Sequence, residues 1–317
     1  MTHQLATIGH ILYDVRCYLE QFPKPDRTSF TNGRIKYGAG GSACNVAVAA
    51  SRLGINSAMC GSIGFDDYGK YIIDNFISEG VDPTHVKIAY RESTGVSIIA
   101  VNAEGEVEIM VMLGANAALF KQDVKKEFIE GATMLHMTGT NLECLERAAK
   151  YASERGVKVS FDPGRSISSR GYHKLMHILE NTDYVIINKK EAAQLAETSE
   201  EKDVSDIVDI LEKGIKKDIT YVIKSGKFPT YVRSPGEAFT LKPFKVNVVD
   251  TLGAGDAFAG GFAAGIINGM DLKNSAIQAT AVAALKIQRE GAQSSPTLAE
   301  YTDFIRKRRK EVGIEKA

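Results

Sequence analysis

Short apolar runs, mostly β-branched, alternate with helical patterns along this chain, and that rhythm limits its fold more than any other feature. Leu5-Ala6-Thr7-Ile8, Val157-Lys158-Val159-Ser160-Phe161, Tyr184-Val185-Ile186-Ile187 and Tyr221-Val222-Ile223 read as buried strands. Between them, Leu142 to Glu154 and Val204 to Lys213 carry apolar residues at helical spacing. Strand and helix in alternation imply an α/β fold, a doubly wound and mainly parallel sheet with helices on both faces. With 317 residues the chain can bury a core large enough for one such domain. Two pieces break the rhythm, roughly Val15 to Tyr37 and Glu92 to Met112. The second alternates like an exposed antiparallel strand pair around an Asn102-Ala103-Glu104-Gly105 turn.

Composition removes several classes of function. Lysine plus arginine equals aspartate plus glutamate at 39 each, so no global field draws the chain to nucleic acid or to a membrane surface. The basic run Arg306-Lys307-Arg308-Arg309-Lys310 follows Tyr301, Phe304 and Ile305, and reads as one face of a terminal helix. Cys17, Cys44, Cys60 and Cys144 lack C-x-x-C spacing, which argues against a zinc site or a disulfide framework and suits a reduced, cytoplasmic setting. Neither a membrane span nor a signal peptide is expected. His173 and His177 lie four apart but have no third ligand nearby, so a solvated helix face is expected there.

The chemistry concentrates in Asp250-Thr251-Leu252-Gly253-Ala254-Gly255-Asp256. Val248-Val249 reads as the end of a buried strand, and Ala257 through Ile266 as a helix packed on most sides. A helix N-terminus presents unpaired N–H groups and the positive end of the macrodipole, and Gly253 and Gly255 let that backbone approach an anion closely. The turn can therefore hold a phosphate. Asp256, in the first helical turn beside it, can take a proton from an attacking hydroxyl that comes within about 2.6–3.2 Å. A lone G-x-G-D is more often a capped turn; its surroundings decide otherwise here.

With those surroundings the chain resembles the ribokinase-like (PfkB) carbohydrate kinase family, whose D-T-x-G-A-G-D signature is matched without a gap. Gly38-Ala39-Gly40-Gly41-Ser42-Ala43-Cys44-Asn45 is similar to the family's glycine-rich sugar-binding segment, Gly61 to Gly69 to its G-x-x-G-x-D-x-x-G turn, and Asn188-Lys189-Lys190-Glu191 to its N-x-x-E motif. The resemblance implies a large nucleotide- and substrate-binding domain from residues 1–14, 38–91 and 113–317, with residues 15–37 and 92–112 forming a small β lid over the sugar. It implies an ATP- and Mg²⁺-dependent kinase of a sugar or nucleoside, and a homodimer through the lid. Asp256 becomes the catalytic base, with the amides of Gly253, Ala254 and Gly255 stabilising the phosphoryl group. Asp14, Gly40, Gly41, Ser42 and Asn45 position the acceptor; a carboxylate and an amide together suit a polyol. Asn188, Glu191, Lys224, Ser225, Gly226 and Thr251 line the nucleotide side, with Glu191 organising Mg²⁺ through water. Asp250, Gly291 and Ser295 fall where relatives hold a monovalent cation such as K⁺.

Departures from the family pattern bear on the acceptor. Leu12 stands where ribokinases carry Asn, and Ser42 where they carry Lys, which turns the pocket away from free ribose. Ser93-Thr94-Gly95-Val96 and Gly114 to Leu119 pull back towards ribokinase, while Arg165 resembles the keto-deoxy-gluconate kinases, where it can face an acidic sugar. Three other readings are weighed. No G-x-x-x-x-G-K-[ST] occurs, so this is not a P-loop kinase. The first strand is followed by Gly9-His10-Ile11-Leu12-Tyr13-Asp14 rather than G-x-G-x-x-G, which excludes a dinucleotide-dependent oxidoreductase. A catalytically silent sugar-binding protein on the same fold stays open, because fold does not fix function.

Overall fold

A computed structural model describes residues 3–31, 35–103 and 106–317. Among these, a ten-stranded sheet runs in the order Ile314–Lys316, Glu237–Leu241, Thr230–Ser234, Thr220–Lys224, Tyr184–Asn188, Lys158–Phe161, Met134–Met137, Leu5–Ile8, Ser57–Gly64, Val81–Ala89. From Thr220–Lys224 to Val81–Ala89 every pairing is parallel; the three strands at the other end pair antiparallel. The apolar runs read from the sequence supply its centre, and the helices Leu142–Glu154 and Val204–Ile215 fall where the helical spacing puts them.

Strand alternation sends neighbouring side chains to opposite faces. Ile186, Val222, Val232 and Phe239 pack on Phe258 and Phe262 of the helix Ala254–Ile267. Val185, Ile187, Tyr221 and Ile223 join the core on the other face, with Leu145 and Leu211 of the two helices just named. One correction concerns the approach to the phosphate turn. Val248 and Val249 are 60% and 57% exposed, in an irregular segment rather than a buried strand. Their backbone is held from outside the sheet, the Val249 and Asp250 N–H groups both donating to the Ile287 carbonyl (2.7 and 3.1 Å).

The interrupting segments form a separate four-stranded sheet in the order Ile35–Gly40, Leu12–Tyr18, Gly95–Val101, Val107–Met112. Its last two strands pair antiparallel, ending at Val101 opposite Val107. The turn between them falls partly on Glu104 and Gly105, and the 15–37 segment partly on 32–34, outside the described residues.

Close helix packing links this fold to its chemistry. A Cβ on Gly260 would lie 2.7 Å from the Ala49 Cβ and 2.9 Å from the Val46 carbonyl oxygen. Glycine therefore lets the helix Ser42–Arg52 meet the helix Ala254–Ile267 backbone to backbone. One turn back along both helices, Asn45 meets Asp256.

Candidate active site

The turn before the helix Ala254–Ile267 is shaped by Gly253, whose φ of 75° is left-handed and whose absent Cβ would lie 2.5 Å from the Ala292 carbonyl oxygen. The Ala254 N–H is already bonded to the Thr251 carbonyl at 3.1 Å, and Thr251 itself is exposed. Among the described residues the Gly253 and Gly255 N–H groups have no acceptor, so of the three expected amides these two remain free to meet an anion.

On one side of this turn lies a polar cluster suited to a hydroxylated ligand. Asn45 Nδ2 donates to Asp256 Oδ2 at 2.7 Å, which leaves the other carboxylate oxygen for a proton-bearing partner. The Asn45 Oδ1 is itself buried without a donor. Asp14 is 6% exposed, in the small-sheet strand Leu12–Tyr18, and its carboxylate lies so close to Gly40 that a Cβ there would meet it at 2.2 Å. Gly41, with φ of 99°, caps the helix Ser42–Arg52 against the His10 carbonyl, and the Ser42 hydroxyl lies beside Asp256. Asn116 ties the His10–Leu12 segment in place, accepting from the Ile11 N–H at 2.8 Å and donating to its carbonyl at 2.7 Å.

Burial and shared charge set the protonation of both carboxyls. Burial, then Asp162, pushes Asp256 up to about 6, against the Asn45 N–H and the Lys224 ammonium. Burial also raises Asp14 to about 7; Arg16 opposes the shift and Asp256 adds to it. A carboxylate near 6 is better matched to proton abstraction at neutral pH than an ordinary aspartate.

Lys224 lies on the other side, at the end of the strand Thr220–Lys224, its ammonium 3.0 Å from Asp162 and 3.2 Å from where a Gly255 Cβ would be. Burial alone works to lower its pKa, but Asp162, Glu191 and Asp256 together hold it above the ordinary value. Glu191 closes a capping box with Asn188 (2.9 and 3.1 Å), so the two are fixed relative to each other. Burial and Asp162 raise its pKa. Asp162 is paired with Lys224, and Glu191 feels the charge of both, so Glu191 and Asp162 are the acidic groups that would hold a hydrated Mg²⁺ through water. Ser225 and Gly226 form an open turn closed by the Phe228 N–H on the Ser225 carbonyl (3.0 Å), with Gly226 at φ 60°. Arg165 is exposed on the short helix Gly164–Ser168 and acts on Glu191, so it stands with the nucleotide-side group and not with Asp14 and Asn45.

Asp250, at the far end of the turn, is held differently. Its carboxylate accepts from the Leu252 and Gly291 N–H groups, both at 2.8 Å, and its carbonyl accepts from the Lys286 ammonium at 2.8 Å. Arg16 Nη1 stands 4.0 Å from the same carboxylate. Ser295 is 2% exposed and gives its carbonyl to Arg52 at 2.8 Å.

Sequence reasoning missed Asp162, Asn116, Lys286 and Arg16. Asp162 directly follows a strand, as Asn188 and Lys224 close theirs, and that shared position at a strand end is the signal that marks it. A cavity of about 670 Å³ between Tyr231, Arg233, Phe239, Lys273 and Ile314 is lined by none of the residues named so far as site candidates.

A doubly wound sheet with a second small sheet, an amide-lined turn and a partly buried carboxylate beside it suit a small-molecule phosphotransferase that uses an alcohol acceptor. The chain belongs to the pfkB family of carbohydrate kinases, whose family model matches residues 2–298. An ATP-dependent ribose-1-phosphate kinase of Halopiger xanaduensis is 32% identical over 305 residues, covering 96% of this chain and 99% of that protein. A ribokinase of Haemophilus influenzae is 31% identical over 314 residues, with 96% and 99% covered. In structure, the ribokinase of Arabidopsis thaliana solved with ribose and ATP matches with a TM-score of 0.85 over 96% of this chain and 99% of that one; at 24% identity this likeness speaks to the fold.

Proposed function

We propose that this chain transfers the terminal phosphoryl group of ATP to a primary hydroxyl of a pentose of the ribose type. The observation that carries the reading is the Asn45–Asp256 pair at the mouth of the amide turn. Asn45 holds one oxygen of Asp256, the other receives the proton of the acceptor hydroxyl, and the unpartnered Asn45 Oδ1 accepts from a second hydroxyl. Asp14, beside the Gly40 and Gly41 backbone, takes a vicinal diol. The Gly253 and Gly255 amides with Lys224 receive the charge that spreads over the phosphoryl oxygens, and Asn188, Ser225 and Gly226 lie along the nucleotide. When bound, Mg²⁺ supplies charge neutralisation of the polyphosphate, held through water by Glu191 and Asp162.

A phosphorylated pentose is the second reading. The Halopiger relative is named for that substrate, and an Asp14 raised to about 7 places less negative charge against an anionic acceptor than an ordinary aspartate does. The small sheet serves as a lid and as the dimer surface. Its edge strand Val107–Met112 exposes Ile109, Met110, Val111 and Met112, an apolar row that suits a second copy of this chain. The setting is cytoplasmic; among the described residues no helix is long and apolar enough to cross a membrane.

The test is a coupled assay of ADP formation with Mg²⁺ against ribose, ribose 1-phosphate, fructose, 2-keto-3-deoxygluconate, adenosine and cytidine. Turnover with ribose or its 1-phosphate is expected. Turnover confined to nucleosides or to the keto acid would replace the pentose, and binding without turnover would revive the silent sugar-binding reading.

A further inference from the structure

The ligands expected of a monovalent cation do not fit one in this chain. A bound K⁺ needs several oxygens turned towards it, and here they are engaged by the chain's own donors. Asp250 gives one carboxylate oxygen to Leu252 and the other to Gly291, and gives its carbonyl to Lys286. Gly291 presents its N–H to Asp250, while its carbonyl accepts the Ser294 hydroxyl at 2.7 Å. The Ser295 carbonyl accepts from Arg52.

Two basic side chains surround the same carboxylate; burial lowers Lys286 to about 8 and Asp250 opposes that shift, so the lysine is mostly charged at neutral pH. Lys286 is 0% exposed at the end of the helix Leu272–Lys286. Arg16 is 8% exposed with Nε and Nη1 unpartnered, and a Cβ on Gly291 would stand 3.1 Å from its Nη1. A third cation would share one carboxylate with two that cannot leave. Lys286 also sits where two segments are stitched: Val249 and Asp250 donate to the Ile287 carbonyl, and Gly253 packs on Ala292.

We propose that the Lys286 ammonium, seconded by Arg16, takes the place of the monovalent cation behind the phosphate turn, and that this enzyme works without K⁺. The inference rests on the kinase reading above. Lys286 is a positioning residue: it clamps the Asp250 carbonyl to the loop after the helix Leu272–Lys286 and so sets the Gly253 and Gly255 amides.

The experiment is a K⁺ titration of the full chain in a choline-based buffer, read by turnover and, separately, by thermal melting. Neither is expected to change for the unmodified protein. Lys286→Met is expected to lose about ten- to a hundredfold in turnover and to gain a K⁺-dependent rise in Tm, with part of the turnover restored by K⁺ or by methylammonium. A several-fold rise in wild-type turnover with K⁺, or a K⁺-dependent rise in its Tm, overturns the proposal. If Lys286→Met does not fold, the wild-type titration still decides. If no sugar is phosphorylated at all, the activity reading fails alone, and the melting curves with and without K⁺ still judge the cation site.

Discussion

Asp250 and Asp256 begin and end the same short turn, yet they sit in opposite electrostatic surroundings. Asp250 has a donor on each carboxylate oxygen, a lysine on its carbonyl and an arginine close by. Asp256 has Asn45 on one oxygen, Asp162 and Asp14 within electrostatic reach, and Lys224 shared among several acids. One carboxylate is saturated and serves the backbone. The other has fewer donors, holds its proton more tightly than an ordinary aspartate, and is the one to which we assign the chemistry. Residue type and local motif are the same for both; what separates them is which elements the fold brings to each.

The largest effect should come from the unsaturated end. Asp256→Asn keeps the shape and the contact to Asn45 but cannot accept a proton, so turnover should fall by about two to four orders of magnitude while acceptor and nucleotide still bind. Steady-state rates set beside calorimetric affinities check this. Undiminished turnover would remove Asp256 from the role of base.

The contact of Asn45 with Asp256 depends on the helix approach at Gly260. Gly260→Val forces the Ala49 and Val46 backbone away, and is expected to cost about 1–3 kcal/mol of stability by overpacking and about ten- to a hundredfold in kcat/KM. Chemical denaturation alongside kinetics separates the two. Full activity in a destabilised protein would mean that the spacing between the two helices does not position the catalytic pair.

These two cases also mark how far the residues alone could be read. Asp256, Gly253 and Gly255 were legible because helix termini and glycine turns impose local rules, and Asn188 with Glu191 because a capping box lies within four residues. Asn45 could be placed at a helix start, but its bond to Asp256 spans 211 positions and depends on two helices packing without side chains between them. Lys224 was legible as a strand end; Asp162 stands at one too, but its pairing with Lys224 spans 62 positions, and Lys286 looked like one lysine among many until the turn folded over it. Val248-Val249 misled because β-branched residues suit extended backbone whether or not a sheet receives them.

Acidity offers a smaller effect. With Asp256 raised to about 6, its ionised form at pH 5 is roughly a tenth of the total, so kcat at saturation should fall about tenfold from pH 8 to pH 5. Protonation of Asp14, raised to about 7, weakens acceptor binding over the same range and appears in KM rather than in kcat at saturation. A flat profile down to pH 5 would show that Asp256 keeps an ordinary acidity and that its burial is relieved by water.

The smallest effect is a difference of sign in stability. Asp256 has a folded-state pKa above its ordinary value of 3.8, so its contribution to stability is fully present below 3.8 and is lost as pH rises through about 6. At pH 8 the ionised carboxylate therefore costs the fold on the order of 2–3 kcal/mol, less what solvent screens. Asp256→Asn should raise Tm at pH 8 by about 2–5 °C, and the gain should vanish at pH 4, where the wild type is itself protonated. Asp250→Asn should do the reverse at pH 8. It leaves Lys286 and Arg16 without a counter-charge and spoils one acceptor of two N–H groups, for a loss of roughly 2–4 kcal/mol and several degrees of Tm. Melting curves of both variants at the two pH values test the contrast directly. Equal losses from the two substitutions would mean that the turn holds two structural carboxylates, and that the partner shortage around Asp256 is made good by solvent.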